Sequence, residues 1–145
     1  IEMAPNLTLM LALSHGSPRP FTTRRDARDD IAWLARDNAK PGRGAPDCWV
    51  AQASTEWSRA HLELDNPAIA AAMLPLVCAR LGAAPAPALY VAGHRWRYAQ
   101  PTKPLGTPFL QDGRLLIGGD WTLGARAEHA WQSGTAMAAA LLSEG

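Results

Sequence analysis

Gly118-Gly119-Asp120 is where this chain could do chemistry. An apolar run, Leu115 to Ile117, ends at the two glycines, a carboxylate follows, and after a short loop a helix rich in small residues begins near Arg126. Glycine lets another molecule approach the backbone closely, and Asp120 can accept a hydrogen bond from a hydroxyl. The start of a helix offers unpaired amides and a partial positive charge to an electron-rich group. That chemistry is holding a ligand rather than breaking a bond.

A second concentration lies in the strand-like stretch Leu89 to Ala99. With a period of two, Tyr90, Ala92, His94, Trp96 and Tyr98 share one face, and Val91, Arg95 and Arg97 share the other. The aromatic face has two readings. By itself the strand favours aromatics packed in a core; the other reading is a flat wall beside a planar ligand, with His94 or an arginine giving polar orientation. If this strand neighbours the 115–134 stretch, the second reading gains weight.

Other chemistries find little support. His15, His61, His94 and His129 are scattered, without the i+4 pairing that puts two ligands on one helix face, so no metal site is expected. There is no Gly-x-Ser-x-Gly elbow and no Walker loop. Cys48 and Cys78 form no Cys-x-x-Cys and suggest neither a redox pair nor a zinc knuckle. With 14 basic and 13 acidic residues and a formal charge of +1, nothing in the overall balance favours nucleic acid or an anionic membrane. Arg24, Arg25 and Arg28 are interleaved with Asp26, Asp29 and Asp30 and read as a solvated loop. No apolar stretch approaches membrane-spanning length and no signal-peptide pattern opens the chain, so a cytoplasmic location is expected.

The elements that must position these residues follow from periodicity. The 145 residues are 48% hydrophobic, enough for a packed core. Leu7 to Ser14 reads as a buried strand, residues 21–30 as an exposed connection, and Ile31 to Arg36 as a short apolar run. A loop over 37–44 leads to a strand at Cys48 to Ala53, and these last two strands should pair antiparallel. Ser54 is placed to cap a helix over about 55–62. Asn66 and Pro67 are read as cap and first-turn proline of a second helix ending at Gly82, with Pro75 forcing a kink or two abutting helices. Residues 83–87 form a stiff connector, 101–108 an irregular bridge and 111–113 a tight turn. The last helix, about 126–142, aligns Ala127, Ala130, Trp131, Gly134, Met137, Ala138, Leu141 and Leu142 in one stripe suited to close packing. The order β-β-β-α-α-β-β-α indicates an α+β fold with a mixed, largely antiparallel sheet and flanking helices.

The sequence of residues 118–134, Gly-Gly-Asp-Trp-Thr-Leu-Gly-Ala-Arg-Ala-Glu-His-Ala-Trp-Gln-Ser-Gly, resembles the C-terminal flavin-contacting signature of the renalase-like branch of the flavin-containing amine oxidases. The resemblance continues in His94-Arg-Trp-Arg-Tyr-Ala99, in Trp49 to Ser58 and in Trp33 to Arg43, four blocks in the family's order. It implies that residues 1–110 are a substrate-binding-type domain. Residues 111–145 would then be the last strand and helix of a Rossmann-like FAD-binding domain. The implied cofactor is FAD, held through Gly118, Gly119, Asp120 and the amides of Ala127, Glu128, His129 and Ala130. Asp120 would meet the ribityl-phosphate portion and the amides the pyrimidine edge, where reduction places negative charge. Trp96 and Tyr98 would form a pocket wall for a small-molecule substrate, and His94 or Arg95 a polar contact. None of these is an obligatory acid or base.

The family usually carries glycine at the position of His129, and its N-terminal Gly-x-Gly-x-x-Gly unit has no counterpart here. With a start at Ile1 that enters a strand almost at once, the chain reads as a piece of something longer. The function implied is that of the C-terminal part of an FAD-dependent oxidoreductase acting on an amine or a reduced nicotinamide-like substrate, inactive alone and binding FAD weakly or not at all. The alternatives are a non-catalytic small-molecule binding module and one chain of a split flavoenzyme whose partner is a Rossmann-like N-terminal chain.

Overall fold

Strand β1 (Glu2–Leu13) is the element on which the N-terminal unit is built. Leu7, Leu9, Leu11 and Leu13 alternate with Thr8, Met10 and Ala12, which sends the four leucines to one side of a sheet, and all four are buried. The strand starts well before Leu7, where apolar spacing alone places it. Asn6 explains the extension: its Nδ2 donates to the carbonyl of Ala53 at 3.0 Å, and the Thr8 hydroxyl donates to its Oδ1 at 2.9 Å. Polar residues enter a buried strand because they satisfy one another.

The computed structural model describes residues 1–14, 16–82 and 88–143; His15 and the connector 83–87 lie outside the described residues. The fold is α+β, with a mostly antiparallel five-stranded sheet. Its strands are β1, β2 (Thr23–Arg25), β3 (Trp33–Arg36), β4 (Asp47–Gln52) and β5 (Tyr90–Lys103), in the order β2-β3-β4-β1-β5. β3 and β4 pair antiparallel, as their turn residues indicate, with Leu34 opposite Ala51 and Ala35 opposite Val50. β4 pairs antiparallel with β1, placing Trp49 opposite Leu11 and Val50 opposite Met10. β2 was not legible, because three polar residues carry no period.

Helix α1 (Thr55–Ala60) begins where the sequence puts it, with Ser54 Oγ accepting from the Trp57 amide at 3.1 Å. Helix α2 (Asn66–Leu81) is capped by Asp65 rather than Asn66: Asp65 Oδ1 accepts from the Ala68 amide at 2.8 Å, and Asn66 is already helical. Pro75 does not split α2. It sits inside one helix at an exposed position, and Ala71, whose carbonyl loses its partner, is exposed too, so the interruption lies on the solvent side of the helix. The helix ends at Gly82, whose φ of 65° is the left-handed turn that favours glycine. Ile69, Met73, Val77 and Leu81 join the leucines of β1, with Ile31, Leu34, Trp49, Ala51 and Trp57, in one core.

The chain divides into two compact units, Pro5–Arg97 and a second formed by Ile1–Ala4 with Tyr98–Gly145; the boundary expected near residue 110 falls inside the second. There β6 (Phe109–Asp112) and β7 (Leu115–Gly118) form an antiparallel hairpin, Leu110 opposite Ile117. A one-turn helix α3 (Asp120–Leu123) fills what the sequence suggests is loop, and α4 (Ala127–Ser143) follows. The packing face of α4 differs from the expected stripe. Ser133 is fully buried and His129 and Met137 half-buried, whereas Ala127, Ala130, Trp131, Gly134, Ala138, Leu141 and Leu142 are exposed. Gly118 accounts for the choice: a Cβ there would lie on Ser133 Oγ and 2.9 Å from Met137 Sδ, so the missing side chain admits these two. No helix among the described residues is long and apolar enough to cross a membrane.

Candidate functional site

In the N-terminal unit, one face of the sheet carries the core and both helices, and the other carries none of the core cluster. Alternation puts Met10, Cys48, Val50, Gln52, Trp33 and Ala35 on that second face, and the register confirms the rows Ala35–Val50–Met10 and Trp33–Gln52–Thr8. A cavity of about 430 Å³ lies on it, lined by Trp33, Ala35, Val50, Gln52, Arg36 and Lys40 among others. That volume is within the range of small-molecule pockets, and its lining mixes apolar Trp33, Ala35 and Val50 with polar Gln52, Arg36 and Lys40.

β5 brings its aromatic residues to the same kind of surface. Gly93 fixes which side of the strand meets α2, since a Cβ would fall on the Asn66 carbonyl and 2.7 Å from the Ala70 nitrogen. Val91, Gly93 and Arg95 therefore face α2, and Tyr90, Ala92, His94 and Trp96 face away. The core reading of the aromatics fails: Tyr90 is 55% and Trp96 54% exposed. His94 and Trp96 meet edge-to-face with centroids 4.5 Å apart, presenting an indole with a polar ring beside it. Tyr98, next in the alternation, belongs to the C-terminal unit and is 74% exposed.

Arg95 is engaged elsewhere. Its Nη1 donates to the carbonyls of Leu62 at 2.9 Å and Leu64 at 3.1 Å, tying down the α1–α2 connection. Arg97 holds Glu63 with two bonds of 2.8 and 3.0 Å, and that hydrogen bonding keeps the Glu63 carboxyl below its ordinary range. Of the expected polar contacts, His94 is the one on the aromatic face.

The charged segment 24–30 is only partly a solvated loop. Asp29 is held by Arg80 Nε at 2.9 Å, by Arg24 Nη2 at 2.7 Å and by the Ile31 amide at 3.0 Å. Burial pushes its pKa up, but the hydrogen bonds from Arg80, Ile31 and Arg24 outweigh this and hold it at about 2. Sequence could not show this, because Arg80 arrives from α2. Another cavity, about 460 Å³, opens nearby between Arg28, Asp30, Glu56, Trp57 and His61. Its histidine is already committed, stacked on Trp57 at 3.9 Å with Nδ1 2.8 Å from the Trp57 carbonyl. The open sheet face is the better site, since its aromatic groups are free to meet a ligand.

In the C-terminal unit, Gly118 and Gly119 serve packing first. The Gly119 amide donates to Ser133 Oγ at 2.9 Å, and a Cβ on Gly119 would lie 2.8 Å from Trp121 Nε1. Asp120 opens α3 half-buried, and among the described residues no hydrogen bond or ion pair engages its carboxylate. The His129 and Ala130 amides are not free, since both bond the Arg126 carbonyl, at 3.0 and 3.4 Å. The unpaired amides of the first turn, among the described residues, are those of Ala127 and Glu128. His129 folds back: its ring occupies the space a Cβ on Gly124 would take, and its buried Nδ1 has no partner among the described residues.

No family model matches the chain. Among the described residues there is no group of three or more His, Cys, Asp or Glu able to hold a metal ion. Both cysteines are free, and burial pushes the Cys78 thiol up, away from nucleophilic reactivity. The residues missed by sequence reasoning are Trp33, Val50 and Gln52. Their parity within β3 and β4 was visible, but which parity faces the helices depends on pairing with β1.

Proposed function

We propose that this chain is the substrate-binding and C-terminal portion of a renalase-like, FAD-dependent oxidoreductase. The observation that carries the reading is the partly open sheet face of the N-terminal unit, apolar in half-buried Trp33 and Val50 and exposed Met10, and edged by exposed Trp96 and half-buried His94. Exposed apolar patches mark binding and interaction sites. Trp33 or Trp96 offers a flat surface to a planar ring, and His94 can donate to or accept from a substrate nitrogen, fixing which edge of the ring is presented.

The C-terminal unit fits FAD at some of the expected positions and not at others. The unengaged Asp120 carboxylate suits a ribityl hydroxyl, and the free Ala127 and Glu128 amides at the start of a 17-residue helix suit the electron-rich pyrimidine edge. Gly118 and Gly119 hold the helix against the strand, and His129 and Ala130 act through helix geometry rather than through their amides. Bound FAD would supply the redox chemistry, accepting a hydride from an amine or a reduced nicotinamide-like ring and passing electrons to oxygen. The chain's own part is orientation of the substrate and stabilisation of negative charge by the helix terminus.

The test is to purify the chain with FAD alone and with a Rossmann-like chain or segment carrying Gly-x-Gly-x-x-Gly, as an upstream reading frame would encode. Alone, no stoichiometric yellow complex is expected. Together, a flavin complex should form whose colour bleaches anaerobically with a reduced nicotinamide-type compound, and Trp96→Ala should raise KM more than it lowers kcat. Failure of the pair to retain flavin would sink the proposal.

A further inference from the structure

Three arginines line a third cavity in the N-terminal unit, and one of them makes only a long ion pair. Arg19, Arg36 and Arg43 line a space of about 220 Å³ with Asn38, Gly44 and Asp47. Asp47, with its side chain 4% exposed, is the single acid among these lining residues. Arg19 engages it through Nε at 3.1 Å and Nη2 at 2.7 Å, both to Oδ2. Arg43 pairs with Asp37 at 2.8 Å, but Asp37 is also shared with Lys40 at 2.6 Å.

Arg36 is different. Its Nε is buried without a hydrogen-bond partner among the described residues, and the nearest carboxylate oxygen, Asp47 Oδ1, is 3.9 Å away. That separation is too long for a hydrogen bond, and a desolvated, unpaired guanidinium donor is strongly unfavourable. Asn38 does not relieve it, since its Oδ1 accepts from the Cys48 amide at 2.6 Å and its Nδ2 donates to the Gly44 and Pro46 carbonyls. Asn38 instead builds the wall, holding the 44–46 backbone open beside the arginines.

With Arg19 holding Asp47 and Arg43 holding Asp37, Arg36 is the cation of the cavity left with only a shared carboxylate 3.9 Å away. An oxyanion in the cavity would offset that surplus positive charge. A phosphate, with more acceptor oxygens and a higher charge than a carboxylate, suits a cavity lined by several guanidinium groups better. We propose that this cavity is a binding site for a phosphate-class oxyanion, either free phosphate or the phosphomonoester end of a small metabolite. The site is built without reference to the redox reading and stands if that reading falls.

The test is calorimetric titration of the full 145-residue chain, at constant ionic strength, with inorganic phosphate, glycerol phosphate and acetate. Saturable phosphate binding is expected, weakened at least about tenfold by Arg36→Gln, as loss of a charge-assisted pair predicts. Acetate should not saturate at the same concentrations. Glycerol phosphate binding about tenfold tighter than phosphate assigns the ester as ligand; equal affinity assigns the free anion. If Arg36→Gln fails to fold, Arg43→Gln, whose wild-type side chain is 56% exposed, carries the test with a smaller loss of affinity. Arg28→Gln, an exposed cation outside the cavity, should change nothing. Absence of saturable phosphate binding, equal binding of acetate, or phosphate affinity unchanged in the folded arginine variants would overturn the proposal.

Discussion

The two units of this chain are held together by different physics. Between Pro5 and Arg97, leucines, tryptophans and helix side chains make one apolar core in which Leu7, Leu9, Ile31, Leu34 and Ile69 are wholly buried. From Tyr98 onward, the buried residues among those described are two hydroxyl side chains, Thr122 and Ser133. Thr122 Oγ1 donates toward the carbonyls of Gly119 at 2.7 Å and Pro108 at 2.9 Å, and Ser133 Oγ accepts from the Gly119 amide. Several large apolar residues of that region, Trp131, Leu141 and Leu142 among them, are exposed, and others such as Phe109, Leu116 and Trp121 are half-buried. Burying a large apolar side chain stabilises by about 1.5–3 kcal/mol, whereas a hydrogen bond nets about 0.5–1.5. The first unit therefore has the means to be the stable part of the chain, and the second has apolar surface still unused.

Four substitutions would break or sharpen that contrast. The largest effect belongs to Leu9→Ala, which should cost about 2–5 kcal/mol in chemical denaturation by leaving a cavity under α2. A loss under about 1 kcal/mol would deny the N-terminal unit its core.

Asp29→Asn comes next, at about 1.5–3 kcal/mol near neutral pH, the range for hydrogen bonds to a charged group. The sign follows from linkage. The folded pKa, about 2, lies below the ordinary 3.8, so the wild-type advantage is full above about pH 4 and is lost as pH falls through about 2. Thermal melts of both proteins between pH 7 and pH 2 check this; an advantage that persists at the acid end would mean that Arg24 and Arg80 contribute little.

Ser133→Ala is expected to cost about 1 kcal/mol, by leaving the Gly119 amide without its acceptor, and to speed hydrogen exchange in α4 and β7 while leaving β1 and β4 unchanged. Trp131→Ala should be smallest, within about 0.5 kcal/mol, because its side chain touches mostly solvent. Residues 126–142 of the wild type should likewise exchange faster than β1 and β4. Protection of this helix equal to that of the central strands, or a Trp131→Ala loss above about 1 kcal/mol, would show the stripe to be covered.

The alternating leucines of β1, the Ser54 cap and the Gly82 stop were legible because each depends on neighbours within a few residues. Of the two outcomes expected at Pro75, abutting helices did not form: local rules count the lost bond, and only the helix's position on the sheet shows that the bond lost is on the exposed side. In the candidate site, the parity of Tyr90, His94 and Trp96 could be read, but not whether that parity was core or surface. Gly93 decided it, and its role appears only when Asn66 and Ala70 are found against it. Arg95 passed for a ligand contact until the carbonyls of Leu62 and Leu64 were found to occupy it.

By itself the sequence determined the α+β class, the antiparallel pairing of the 31–36 and 48–53 segments, the helix near 66–82, and the strand-to-helix crossing over 118–130. These follow from period, caps and turn residues, whose energies are local. Only the tertiary structure decided which sheet face is left open, that α4 docks through Ser133 and Met137 and leaves its alanine stripe in solvent, and that Arg19, Arg36 and Arg43 share one cavity. Those outcomes depend on contacts between residues far apart in the chain, where burial and steric fit, not spacing, set the free energy.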